Sequence, residues 1–144
     1  MRHRVIVVGV LVILMPLVMP ASAQEDRNVV NKELPPCVVK TEPANRATDV
    51  AATLNEIKVT YDRKMTDRMW SWIIQRNLGV YPGGRDLGEP RWENDGKTCV
   101  LPVRLRPNTV YAIGCNSFRH NGFRDLDGKV AVPHVLVFKT KAPE

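Results

Sequence analysis

Short stretches in which apolar and polar residues alternate run through most of this 144-residue chain. In NEIKVTYD (55–62), Ile57, Val59 and Tyr61 fall on one face, which is the period of a half-buried strand. Similar runs predict further strands at 37–41, 70–75, 98–105, 110–115 and 134–140. No long stretch keeps a helical period, so the pattern predicts an all-β fold, an antiparallel β-sandwich of about seven strands.

Two aromatic residues are predicted to hold the sandwich together from its last strands. Tyr111 follows a turn at the start of strand 110–115, which matches the tyrosine corner of Ig-like sandwiches. Strands 98–105 and 110–115 should therefore lie in opposite sheets, and Phe138 should point inward from the final strand. Pro102 cannot donate to a ladder and predicts an edge position or a bulge.

The stretch RMWSWIIQ (68–75) holds two of the three tryptophans. Read as a strand, it places Trp70, Trp72 and Ile74 on one face. Because Ig-like sandwiches commonly bury a Trp on the third strand, we expect Trp72 and Ile74 in the core. Trp70, at the mouth of that strand, should be partly exposed.

The first 23 residues have the composition of a secretory signal peptide. A basic start precedes an apolar run and the small residues Ala21, Ser22 and Ala23, which predicts cleavage after Ala23. The run is shorter than the roughly 20 residues that a membrane span needs. We therefore divide the chain into a signal peptide (1–23), a flexible polar lead-in (24–35) and one sandwich domain (36–141), secreted or periplasmic and without an integral membrane span.

Charge narrows the choice of partners only slightly. Cleavage would remove Arg2 and Arg4 from the 21 basic residues and none of the 15 acidic ones, so that the net charge falls from +6 to +4. In an exported protein, this mild basicity favours an acidic polysaccharide or an envelope protein over nucleic acid.

Several short motifs of the domain resemble the bacterial Ig-like domain of the S-layer-protein type, the SbsA Ig-like domain. They are Pro43 to Asn45, ATDV (47–50), IKVTY (57–61), KMTD (64–67), the Leu105, Pro107, Thr109 and Tyr111 series, DLDG (125–128) and FKT (138–140). Arg46, Tyr61 and Lys129 depart from the family pattern. The resemblance implies an extracellular, mostly non-catalytic module that acts in scaffolding or adhesion.

An Ig topology would bring the loops 62–69 and 116–133 to the same end of the sandwich. The second loop is long, and long loops in compact domains are often functional. Together they predict a ligand-binding surface of basic and aromatic residues, namely Arg63, Arg68, Trp70, Arg119 and Arg124, beside Lys64, His120, Phe118 and Phe123. The alternative is that these charges pair with Asp62, Asp67, Asp125 and Asp127 in the same loops.

Catalytic and metal-binding interpretations find less support. Ser117, His120 and Asp125 could form a hydrolase triad, but no G-x-S-x-G turn presents the serine. Asp125 and Asp127 begin a calcium-loop pattern that lacks its later carboxylate, so an ordinary tight turn is the alternative. We predict no catalytic residue, no metal and no cofactor.

The cysteines are Cys37, Cys99 and Cys115. In the Ig arrangement, another strand separates Cys37 from Cys99, which disfavours that disulfide. Cys115, on the facing sheet, is a partner that either of them could share. Cys99 with Cys115 is the candidate pair, and three buried thiols are the alternative.

The sequence thus predicts a secreted, non-catalytic Ig-like module that binds or scaffolds at the cell envelope, toward an acidic glycan or a protein surface. The alternatives are a small hydrolase using Ser117, His120 and Asp125, and a structural subunit of an envelope assembly whose exposed strand edge pairs with a neighbour.

Overall fold

The computed structural model describes residues 32–143, which form two antiparallel sheets packed face to face. One sheet has the order β1-β2-β5-β4 and the other β3-β6-β7. The strands are β1 (Val38–Glu42), β2 (Glu56–Tyr61), β3 (Trp72–Ile74), β4 (Arg91–Trp92), β5 (Thr98–Pro102), β6 (Val110–Cys115) and β7 (His134–Lys139). The predicted Ig-like sandwich of about seven strands is confirmed. The signal peptide and residues 24–31 of the lead-in lie outside the described residues and stay predictions.

Strand β4 is the element that the pattern did not predict. Its two residues, Arg91 and Trp92, pair with Val100 and Cys99 of β5. Two residues are too few to show an alternating pattern in the sequence. The interpretation of Pro102 was wrong in part, because β5 lies inside its sheet between β2 and β4. Pro102 is instead the last residue of β5, beyond the short pairing with β4, so its missing N–H breaks no bond on that side.

The tyrosine corner forms as predicted. The hydroxyl of Tyr111 accepts a hydrogen bond of 2.7 Å from the backbone N–H of Arg106, five residues upstream. Its ring stacks on Phe138 with the centroids 5.5 Å apart, and both side chains are buried. Strands β5 and β6 lie in opposite sheets, so the corner fixes the crossover between them.

A cluster of four aromatic rings joins the sheets near the edge strands β3 and β4. Phe123 lies 5.2 Å from Trp72, 5.3 Å from Tyr61 and 6.0 Å from Trp92, measured between ring centroids. The expectation that Phe123 belongs to a loop surface was wrong, since its side chain is fully buried. The long loop therefore contributes a core residue that fills the gap between the sheets.

Of the two β3 residues that we expected in the core, one is partly buried and the other is exposed. Trp72 is partly buried and packs against the core cluster. Ile74 remains 51% exposed, so its assignment was wrong. Both belong to the edge strand β3, but Trp72 packs against Phe123, whereas Ile74 borders an open cleft.

Candidate ligand-binding site

The two loops predicted to share one end of the sandwich are joined side by side. Met65 and Asp125 form an isolated antiparallel bridge. The backbone N–H of Thr66 donates to the carbonyl of Arg124 at 2.8 Å, and the Thr66 hydroxyl donates to the carbonyl of Asp125 at 2.8 Å. The predicted meeting of loops 62–69 and 116–133 is therefore confirmed.

The long loop is held from inside by the amide of Asn116. Its Oδ1 accepts the backbone N–H of Phe123 at 2.9 Å, while its Nδ2 donates to the carbonyls of Phe123 and Ala131 at 2.9 and 3.1 Å. Asn116 is buried and has a positive φ of 64°, a conformation that Asn tolerates better than most residues. A single buried amide thus closes the 116–133 loop onto the core.

Ser71 attaches that loop to the start of β3. Its hydroxyl oxygen accepts the backbone N–H of Gly122 at 2.8 Å, and its carbonyl accepts the N–H of Asn116 at 3.0 Å. A Cβ atom at Gly122 would lie 2.5 Å from the carbonyl oxygen of Trp70, so this contact requires glycine. Trp70 is consequently fixed at the junction of the two loops.

Two of the five predicted binding residues are engaged within the fold. The guanidinium of Arg63 donates to both carboxylate oxygens of Asp62 at 3.1 and 2.9 Å, and lies 3.6 Å from Asp125. Burial alone would raise the pKa of Asp62, but the hydrogen bonds from Arg63 and from the N–H of Cys37 hold it below its ordinary value. Arg124 donates to the carbonyls of Asn121 and Gly128 and to the Asn121 side chain.

The other three predicted residues are accessible. The Arg68 side chain is 90% exposed, with a single long contact of 3.8 Å to the exposed Asp67. Arg119 is exposed beside the fully exposed ring of Phe118, at the tip of a turn closed by the Ser117 N–H and the His120 carbonyl at 2.7 Å. Trp70 is partly buried and packs against the core. Solvent screens an exposed pair such as Arg68 with Asp67, which leaves both cations of this surface open to a ligand.

Beside Trp70, a cleft of about 810 Å³ opens along β3. Its walls are β3, the segment that connects β3 to β4, Leu101 of β5 and His120 of the long loop. Apolar side chains predominate, with a few polar groups among them. The lining side chains that bear on binding are Trp70, Trp72, Ile74, Tyr81, Arg85, Glu89 and His120. Ligand sites typically combine such a lining with a volume of about 300 to 1,000 Å³.

Sequence reasoning missed the part of this cleft that the β3–β4 connection supplies. Tyr81, Arg85 and Glu89 lie in VYPGGRDLGEP (80–90), which is rich in turn residues and gives no periodic signal. The available signal was length, because more than 15 residues separate β3 from β4, and such connections are often functional. Nothing in the sequence indicated that the segment folds back beside Trp70.

Ser117 and His120 are neighbours, but Asp125 does not complete a triad with them. Ser117 Oγ lies 3.5 Å from His120 Nδ1, a long contact between exposed side chains. Asp125 is buried, and its Oδ1 accepts the N–H groups of Asp127 and Lys129. The predicted tight turn is present, with the Gly128 N–H on the Asp125 carbonyl at 3.0 Å. Within residues 32–143, no group of three His, Cys, Asp or Glu side chains could hold a metal ion.

The cysteines are unbridged in the structure. Cys37 is exposed, so the alternative of three buried thiols was wrong for this residue. Cys99 and Cys115 are buried on facing sheets, and β2 lies between β1 and β5, as expected. Burial raises the pKa of Cys115 to about 12 and also raises that of Cys99. The Cys99–Cys115 disulfide stays a prediction.

Comparisons with known proteins agree with the fold. A scan against protein-family models finds no match, and a search of the curated proteins finds none either. Among solved structures, CopC from Methylosinus trichosporium OB3b is 12% identical with a TM-score of 0.55, and the match covers 76% of this chain and 96% of that one. The S-layer protein rSbsC(31-844) is 17% identical with a TM-score of 0.47, covering 77% of this chain and 14% of that one. The likeness to CopC shows a shared β-sandwich architecture. Within residues 32–143, no helix is long and apolar enough to cross a membrane.

Proposed function

We propose that this chain is an exported, non-catalytic binding module of the cell envelope, in the manner of the SbsA Ig-like domains, and that its loop end binds an acidic polymer. The observation that carries the proposal is the fixed position of Trp70 where two loops that carry exposed cations meet. Gly122 and Ser71 hold the Trp70 backbone, Arg68 is exposed two residues before it, and Arg119 is exposed in the loop that contains Gly122. We call these three side chains the loop-end surface.

Chemistry supports this choice of ligand. Guanidinium groups form charge-assisted hydrogen bonds with carboxylates and sulfates, and a partly buried indole offers a flat apolar face beside them. The predicted signal peptide and the mild net positive charge fit a partner at the negatively charged cell envelope. The side-chain cluster of Ser117 and His120 supports hydrolysis less well, because Asp125 bonds to backbone and to Arg63 instead of to His120.

The test uses the mature chain, residues 24–144, and immobilised polysaccharides that are either acidic or neutral. We expect binding to the acidic polymer that weakens with salt, and at least about a tenfold loss of affinity in the Arg68→Ala/Arg119→Ala double variant. The matched control is Lys139→Ala/Lys141→Ala, which removes two exposed positive charges from the far end of β7. Equal losses in both variants would mean that only net charge matters and would contradict the loop-end surface. Absence of binding to any polysaccharide or envelope extract would contradict the proposed function.

A further inference from the structure

We infer that the cleft along β3 is a binding subsite for an oligosaccharide that contains uronic acid. This inference rests on the proposed function and specifies its ligand, since the cleft and the loop-end surface share Trp70. A polymer that contacts Arg68 and Arg119 could therefore continue into the cleft without leaving the protein surface.

The aromatic lining fits the apolar face of a sugar ring. Trp70, Trp72 and Tyr81 all border the cleft, and each packs against the core on one side while remaining partly exposed on the other. Ile74 adds an aliphatic side chain that is 51% exposed at the same edge. Pyranose rings carry C–H groups on one face and hydroxyls around the rim, so they match a site with apolar walls and few polar groups.

Two unpaired charges of opposite sign complete the site. Within residues 32–143, neither Arg85 nor Glu89 has a side-chain hydrogen bond or ion pair, although both border the cleft. Arg85 begins the short 3-10 helix Arg85–Leu87, which Gly88 ends with a φ of +100°, a conformation suited to glycine. The helix thus presents a guanidinium beside the aromatic side chains.

This combination favours a uronic acid over an acidic peptide. Arg85 can bind a carboxylate with two parallel hydrogen bonds, whereas the carboxylate of Glu89 accepts hydrogen bonds. A uronic acid offers both a carboxylate and hydroxyl donors on one ring. Acidic side chains offer Arg85 a carboxylate but give Glu89 no hydroxyl donor.

Four variants and three ligands test the inference by calorimetry and tryptophan fluorescence on the mature chain. The ligands are tetragalacturonate, its methyl ester, which has the same rings without charge, and tetraglutamate. We expect the ester to bind about tenfold more weakly than the acid. Arg85→Ala should lower affinity for the acid to that of the ester and leave the ester unaffected. Tyr81→Ala should weaken both sugars, while Val39→Ala, at an exposed apolar residue of β1 outside the cleft, should weaken neither.

Several outcomes would overturn the inference. One is wild-type affinity of Arg85→Ala for tetragalacturonate, and another is absence of tetragalacturonate binding to the wild type. A third is an affinity for tetraglutamate equal to that for the sugar, with an equal loss in Arg85→Ala. That result would identify a peptide site. If the Arg68→Ala/Arg119→Ala variant loses polysaccharide binding while the Arg85 and Tyr81 variants keep it, the cleft is excluded and the proposed function stands. Arg85 is exposed, so its variant tests the site even if Tyr81→Ala is destabilised.

Discussion

The hydroxyl oxygen of Ser71 accepts the backbone N–H of Gly122 at 2.8 Å, joining the start of β3 to a loop 51 positions later in the chain. This bond lies between the loop-end surface and the cleft along β3, because Trp70 precedes Ser71 and both residues border the cleft. It attaches the long loop to the segment that both surfaces share.

Ser71→Ala should remove this attachment without changing the surface charge. We expect the free energy of unfolding to fall by about 1 kcal/mol, since one partner of a partly buried hydrogen bond is lost. Gly122→Ala should cost more, because its Cβ would lie 2.5 Å from the Trp70 carbonyl oxygen. Urea denaturation measures both. Wild-type stability of Gly122→Ala would contradict the close approach described above.

Asn116→Ala should destabilise the chain by releasing the long loop from the core. It removes three hydrogen bonds from a buried amide and leaves the Phe123 and Ala131 backbone groups without this partner. A loss of roughly 2–4 kcal/mol is expected. Asn121→Ala, in the same loop but with one side-chain bond to Arg124, is the control and should cost less than about 1 kcal/mol.

Tyr111→Phe isolates the hydrogen bond of the tyrosine corner from the packing of the ring. The stacking on Phe138 is retained, while the Arg106 N–H loses its partner. We expect about 1 kcal/mol of destabilisation with an unchanged denaturant slope. No change in the urea midpoint would show that water replaces the hydroxyl without cost.

Stability should fall between pH 7.5 and pH 5 because of His134. Its position opposite Cys115 in the β6–β7 pairing places it on the inner face, and its Nε2 is buried without a hydrogen-bond partner among residues 32–143. Burial lowers the pKa of His134 below its ordinary 6.5, so the unfolded chain binds a proton more readily. Unfolding is therefore favoured as the pH falls through about 6.5 and below.

The melting temperature of His134→Gln, which cannot titrate, should change less over this interval than that of the wild type. The lowered pKa values of Asp62 and Asp95 act in the same direction, but only as the pH falls below their ordinary 3.8. They do not contribute between pH 7.5 and pH 5. Identical slopes for wild type and variant in that window would refute the assignment to His134.

The thiols should differ in reactivity. In native reduced protein, Cys37 should react quickly with a thiol reagent at pH 8, because it is exposed. Cys99 and Cys115 should react only on unfolding, because burial excludes the reagent and raises their pKa values. Counting thiols in unreduced, denatured protein also tests the predicted disulfide: a single reactive thiol that peptide mapping assigns to Cys37 indicates a Cys99–Cys115 bridge, and three reactive thiols indicate none. More than one fast thiol in the native state would contradict the burial of both.

The sandwich was predictable from the sequence, because alternation and turn chemistry are local properties that each strand shows on its own. The corner at Tyr111 and the meeting of loops 62–69 and 116–133 were predictable too, since both follow from the strand order of an Ig-like sandwich. The roles of particular side chains depended on tertiary contacts. Arg63 and Arg68 look alike in sequence, yet one is held by Asp62 and Asp125 and the other is exposed. Phe123, from a distant loop, packs against Trp72 and is buried. Ile74, on the same edge strand as Trp72, borders the open cleft and stays exposed. The contacts of Arg63 with Asp125 and of Trp72 with Phe123 join residues tens of positions apart, and a local pattern carries no record of them.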